Sequence, residues 1–179
     1  MNKKGFTQHH FSGLTVNSTF CKKSAGFTLV ELLVVIAIIG VLSTLAVVSL
    51  NNARAKSRDA KRVSDIKQIQ TALELYFADL NTYPVQGTTA AKITLGGETA
   101  LCLDEDAFVA ACDAGGTTYM GQVPSNPTPE GTAYLYHATD SAGADCTSGT
   151  CTSYIIDFTI EGVVGSLAAG AHTATPSGI

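Results

Sequence analysis

Basic residues all but stop at Lys67: from Gln68 to Ile179 the chain carries twelve acids against the single cation Lys92. A surface so poor in positive charge excludes nucleic-acid binding by this part, because phosphate is held by neutralising lysines and arginines. Acids in turn are missing from the first 26 residues, and proline is missing from the apolar run 27–50, so nothing there interrupts a helix. No repeat of solenoid length occurs. No C-x-x-C pair suggests a zinc site, and no nucleophile elbow accompanies the histidines.

What is present falls into four zones. Residues 1–26 are polar and basic, 27–50 apolar, 51–81 charged with helical periodicity, and 82–179 rich in Gly, Thr, Ala and Ser. At 179 residues the chain suits one domain with attachments. The apolar run is about 36 Å long as a helix, enough to cross a bilayer. It contains one acid, Glu31. A carboxylate in lipid is costly and marks a function or a partner, the blander reading being a side chain at the helix end reaching for headgroups. A cleaved secretory signal does not fit, because the run is too long and no A-x-A-like site ends it.

The stretch "GFTLVELLVVIAIIGVL", residues 26–42, follows the leader cations Lys22 and Lys23. It closely resembles the class III signal of type IV prepilins and pseudopilins. The resemblance implies that a membrane aspartyl peptidase cuts between Gly26 and Phe27, discarding residues 1–26, and that the new Phe27 amine is N-methylated. Glu31 then becomes the fifth mature residue, where it can neutralise the Phe27 amine of a neighbouring subunit. At about 4 Å such a pair attracts by roughly 4 kcal/mol at an effective dielectric near 20, before desolvation is subtracted. The echo "KKGFT" at positions 3–7 fails this test, since His10 stands where the acid belongs and no apolar run follows.

By the same resemblance the protein is no enzyme. It is a structural subunit of a type IV pilus or a type II secretion pseudopilus, stored in the cytoplasmic membrane with an extracytoplasmic head. Its implied partners are the prepilin peptidase, a platform protein, an assembly ATPase and copies of itself. The rival reading is a membrane-anchored binding module that uses a pilin-like anchor. Charge counting runs against the implied orientation: Lys22 and Lys23 on one side face Arg54, Lys56, Arg58, Lys61 and Arg62 on the other. The cleavage motif sets the expectation instead.

Beyond the apolar run, Val63, Ile66, Ile69, Leu73, Tyr76, Phe77 and Leu80 recur at spacings of three and four, the stripe of an amphipathic helix. With the apolar run this makes one helix over 27–80, stopped by Tyr83 and Pro84. The basic stretch "RAKSRDAKR" reads as a solvated collar, with Asp59 and Asp65 offering local pairs, or as a site for anionic headgroups or nucleic acid. "SDIKQIQTALELYFADLNTYP", from Ser64, looks like the equivalent stretch of major pseudopilins and of pilins.

In the last zone, 132–138 and 153–162 alternate as strands, with Tyr154, Ile156, Phe158 and Ile160 on the face that would cover the helix. The expected fold is α+β and pilin-like: a long N-terminal helix, half transmembrane and half amphipathic, on a small antiparallel sheet. Cys21 falls in the leader, and the remaining four cysteines allow three pairings. Short loops favour Cys102 with Cys112 and Cys146 with Cys151. The acids between Leu103 and Asp113 read as a solvated loop; some major pseudopilins bind calcium in their heads, but the spacing here is not that of an EF-hand. No cofactor is expected. His137 and Asp157 could be imagined with a serine as a triad, although a packing role suits a histidine on a Tyr-rich strand better.

Overall fold

The structure, a computed structural model, describes residues 26–85, 92–129 and 131–179. The leader through residue 25, with Lys22 and Lys23, lies outside the described residues. The chain divides into two units, 1–43 and 44–179.

The first unit contains the start of α1 (Leu29–Leu80), the one helix among the described residues. Thr28 caps it: the Glu31 N–H donates to Thr28 Oγ1 at 3.2 Å, while the Thr28 N–H and hydroxyl donate to Glu31 Oε2 at 2.9 and 2.8 Å. This is a capping box, in which two groups at a helix start satisfy each other. Apolar side chains then cover every side of the helix and stay exposed, Val34 and Val35 at 47% and Leu29 at 77%. A helix apolar all round needs an apolar environment. This one is long and apolar enough to cross a membrane.

In the second unit α1 becomes one-sided. Ile66, Ile69, Leu73 and Tyr76 are buried, whereas Leu75 and Leu80 are exposed. Full burial of Ile66, Ile69 and Leu73 contributes about 2 kcal/mol each. The helix ends three residues before Tyr83: Asn81 adopts φ 53° and its N–H donates to Phe77 O at 2.8 Å. A left-handed residue, not the proline, is therefore the stop, and asparagine is among the few side chains that tolerate it. Phe77 folds back to stack on Tyr83, with ring centroids 4.6 Å apart.

The strands are β1 (Ile93–Thr94), β2 (Cys102–Asp104), β3 (Ala107–Val109), β4 (Thr118–Met120), β5 (Leu135–Thr139), β6 (Ser153–Ile160) and β7 (Gly170–Ala174). They form an antiparallel sheet ordered β1-β5-β6-β7 and a smaller one ordered β3-β2-β4. Along β6 burial alternates residue by residue, with Tyr154, Ile156, Phe158 and Ile160 inside. The expected strand 153–162 stops two residues early, because Glu161 and Gly162 turn their N–H groups to the helix.

The interior is unusually rich in tyrosine. Tyr83 meets Tyr154 edge-on at 4.8 Å, and Phe108 meets Tyr136 at 4.9 Å. Buried hydroxyls need acceptors. Tyr136 donates to Pro84 O at 2.8 Å, Tyr83 to Glu74 Oε1 at 3.0 Å and Tyr134 to Asp65 Oδ2 at 3.3 Å.

The segment expected to be an acidic loop, from Leu103 to Asp113, is instead a hairpin. Asp104 pairs with Ala107 across a two-residue turn, and Asp104 is buried with its carboxylate accepting from Asp106 N at 3.0 Å and Asp113 N at 3.3 Å. An acid that satisfies two backbone donors belongs inside a turn, which composition could not reveal. The structure bonds Cys102 to Cys112, holding the hairpin to its exit, with Cα atoms 5.5 Å apart. It bonds Cys146 to Cys151, Cα atoms 5.8 Å apart. The second bridge ties to the helix exit, since Tyr83 N donates to Cys151 O and Cys151 N to Thr82 Oγ1, both at 2.9 Å.

Non-reducing peptide mapping of the full chain is expected to recover those two linkages, and a crossed pattern would contradict them. Cys146→Ser with Cys151→Ser should lower head stability by about 2 kcal/mol, the loop-closure value for so short a span, read by thermal unfolding in detergent.

Candidate assembly site

Among the described residues nothing lies within 4 Å of where a Cβ on Gly26 would stand, and Phe27, immediately before the Thr28 cap, is 77% exposed. Glu31 does not point idly outward. Both its bonds go to Thr28, so in the single chain the carboxylate is satisfied within the first turn, where the partial positive charge of a helix start favours an anion. In the sequence Thr28 is marked only by the T-x-x-E spacing of a capping box.

A second group of charges surfaces only in three dimensions. Arg62 and Asp59 are fully buried. Arg62 Nη1 donates to Asp59 Oδ1 and Glu161 Oε1, each at 2.6 Å, its Nε to Asn126 Oδ1 at 2.7 Å and its Nη2 to Pro127 O at 3.3 Å. Asp59 accepts the backbone N–H of Glu161 at 2.9 Å and of Gly162 at 2.8 Å. Arg58 forks onto the same Glu161 carboxylate, Nε to Oε1 at 2.8 Å and Nη2 to Oε2. Gly131, at φ 101°, passes so near that an added Cβ would lie 2.9 Å from Arg62 Nη2.

The expectation of a solvated collar is therefore corrected. Arg58 and Arg62 join the helix to the end of β6, and Arg54, Lys56 and Lys61 keep to the surface. The reason is reach: a guanidinium with five donors can satisfy acceptors from three chain segments at once. Periodicity scored Arg62 as polar and therefore outward.

Hydrogen bonds from Arg58, and then from Arg62, hold the Glu161 carboxyl down at about 2, against the partial desolvation that opposes them. Asp65 moves the other way, raised chiefly by burial, with Lys61 and the Tyr134 hydroxyl offsetting part of the effect.

His137 and Asp157 are not brought together as a catalytic pair. His137 is buried with Nε2 3.8 Å from Asp145 Oδ1, while Asp157 binds Lys92 Nζ. Among the described residues one grouping of three potential metal ligands occurs, Cys102, Asp104 and Cys112. Both its sulfurs are used by the disulfide and its carboxylate by the hairpin turn.

Residues 21–47 match the family described as the prokaryotic N-terminal methylation motif. The match covers the end of the leader and the first part of the apolar helix, not the head. It is 43% identical over 63 residues to type II secretion system core protein G of Aeromonas hydrophila, covering 35% of this chain and 44% of that one. To the core protein G of Escherichia coli K12 it is 47% identical over 62 residues, 35% and 43% of the two chains. To the type IV major pilin protein PilA of Myxococcus xanthus it is 33% identical over 66 residues, 37% and 30% of the two chains. The chain is thus a relative of type II secretion pseudopilins and type IV pilins, and the match spans less than half the length of each. No solved structure matches it significantly.

Glu161→Gln should destabilise the head by about 2 kcal/mol, because it leaves the buried Arg62 with one carboxylate in place of two. The pH dependence follows from the lowered carboxyl: its contribution is complete above the ordinary value of 4.5 and is lost as pH falls toward about 2. Unfolding curves between pH 6 and about pH 2 should converge for parent and variant at the acid end. Parallel curves would exclude the linkage.

Proposed function

We propose that this protein is a subunit of a type IV filament, cleaved after Gly26 and polymerised through its N-terminal helix. The observation that carries this is the prepilin motif, whose match runs from residue 21 into a helix that is apolar on every side and uncovered in the single chain. Such a helix has two environments that suit it: lipid, and the core of a bundle of identical helices. The first stores the subunit and the second builds the filament, so assembly exchanges one apolar surround for another. The head remains outside the cytoplasmic membrane, and the peptidase, platform protein and ATPase act on the leader side.

Glu31 links the two states. In the stored subunit its carboxylate is kept by Thr28. Cleavage creates a cationic amine on Phe27, and a Glu31 from the adjacent subunit can exchange part of its local bonding for that charge. The pair acts as a register device, since a buried ion pair adds little net stability but is costly when mispaired. Likeness to secretion core protein G and to PilA leaves two settings, a short secretion pseudopilus and an extended pilus. The higher identity to the core proteins favours the pseudopilus.

N-terminal mass spectrometry of membrane and sheared-filament fractions should find a methylated Phe27 as the first residue. Retention of residues 1–26 would refute the reading. In the same fractions Glu31→Ala should leave processing and membrane insertion nearly unchanged while lowering the filament fraction by at least about tenfold, with Glu31→Gln intermediate, as a lost charge partner requires. Equal assembly by all three chains would show that Glu31 only caps the helix.

A further inference from the structure

Charge on the second unit is segregated along α1. On the exposed face of the helix Ala60, Val63, Ser64, Lys67, Gln68 and Thr71 line a shallow groove, whose Val63, Lys67 and Thr71 edge runs beside Val164, Leu167 and Gly178. Lys56, Lys61 and Lys67 are exposed beside it, and no ion pair joins any of them to an acid among the described residues. Both acids of this stretch are buried and engaged, Asp59 by Arg62 and Asp65 by Tyr134, although the field of Asp65 reaches Lys61.

The other end of the same unit has the opposite sign. Glu105 and Asp106 form the exposed two-residue turn of the β2–β3 hairpin. That turn lies against the far end of α1, where Tyr76 Oη donates to Glu105 O at 3.4 Å and Tyr119 sits between Asp79 and Glu105. The only cation of the last zone, Lys92, is held by Asp157. Lys67, the groove's own charge, is nine residues from Tyr76 on the helix, about 14 Å. This exceeds the screening length of about 8 Å at physiological salt. Groove and turn therefore cannot neutralise each other within one head.

We propose that the basic groove docks the acidic β2–β3 turn of a second copy of this chain. The two surfaces are different patches on one molecule, so the contact is heterologous and repeats without closing, which is the geometry of a filament. The inference rests on the filament reading above and adds which faces of the heads meet. Opposite charges at the two ends also select the parallel, axially shifted arrangement over one that sets like ends together. The grooved face presents small side chains, Ala60 and Ser64, at its near end, so a narrow two-residue turn can approach the helix backbone.

The test uses the full chain in its own cells. Lys61→Glu with Lys67→Glu, or Glu105→Lys with Asp106→Lys, should each lower the subunit recovered in sheared filaments by about tenfold, and the four changes together should restore it to within about threefold, since rim charges act through their sign. Independently, Ser64→Cys and Asp106→Cys on separately tagged copies should form a disulfide joining the two tags. Circular dichroism and intact native disulfides check that each head has folded; the cysteine pair decides the matter where a reversal does not fold. Filaments that contain the parent chain but ignore both reversals overturn the proposal alone. Sensitivity to the basic reversal without rescue also overturns it, and indicates an anionic lipid surface. Absence of the parent chain from every filament overturns the filament reading and this contact with it.

Discussion

Arg62 is the group around which the head is arranged. A buried guanidinium without partners would cost several kilocalories per mole, so the chain must deliver acceptors to it from wherever they lie. They come from Asp59 on the same helix, Glu161 past the end of β6, and Asn126 and Pro127 in the loop before β5. Each delivery constrains another element. β6 must end at Ile160 for Glu161 and Gly162 to reach Asp59. The loop before β5 must pass close enough that Gly131 cannot carry a side chain without shifting a neighbour. Together these fix helix and sheet in one axial register, and the tyrosine-rich core then packs without choice of slide.

Above that anchor the interior trades shape for polarity with little loss. Tyrosines fill volume as phenylalanines would, but a buried hydroxyl is costly without an acceptor, and this adds a directional condition at Tyr83, Tyr134 and Tyr136. Pro84 O, Glu74 and Asp65 supply these ends. The Cys146–Cys151 disulfide closes a Thr-, Ser- and Gly-containing loop with no apolar side chain of its own to bury, while Cys102–Cys112 ties the exit of a hairpin whose Leu103 and Phe108 already pack in the core. The head is in this sense built from directional constraints, whereas the apolar half of α1 has none beyond its cap.

The two carboxylates that matter most follow one rule from opposite ends of the chain. Glu31 and Glu161 are both held by donors close at hand, Thr28 in one case and Arg58 with Arg62 in the other. The first lies at an exposed helix start and is held by one uncharged neighbour, the second, part-buried, by two guanidiniums.

Local sequence determined a good deal by itself. The 24-residue apolar run, its acid and the glycine before it could be read because covalent spacing carries them, and the stripe Ile66, Ile69, Leu73 and Tyr76 followed from the helical repeat. The alternation of β6 was equally legible, because its buried face is unmixed. What only the tertiary structure decided are contacts between residues far apart in the chain: Arg62 with Glu161, Lys92 with Asp157, and the short strands β1 and β7, which are made of Gly, Ala, Thr and a single Ile or His and have no period of their own. Asp104 was misjudged for the same reason. Whether a charge lies in water or in the interior depends on the donors that the rest of the chain brings to it, and no window of neighbouring residues contains them.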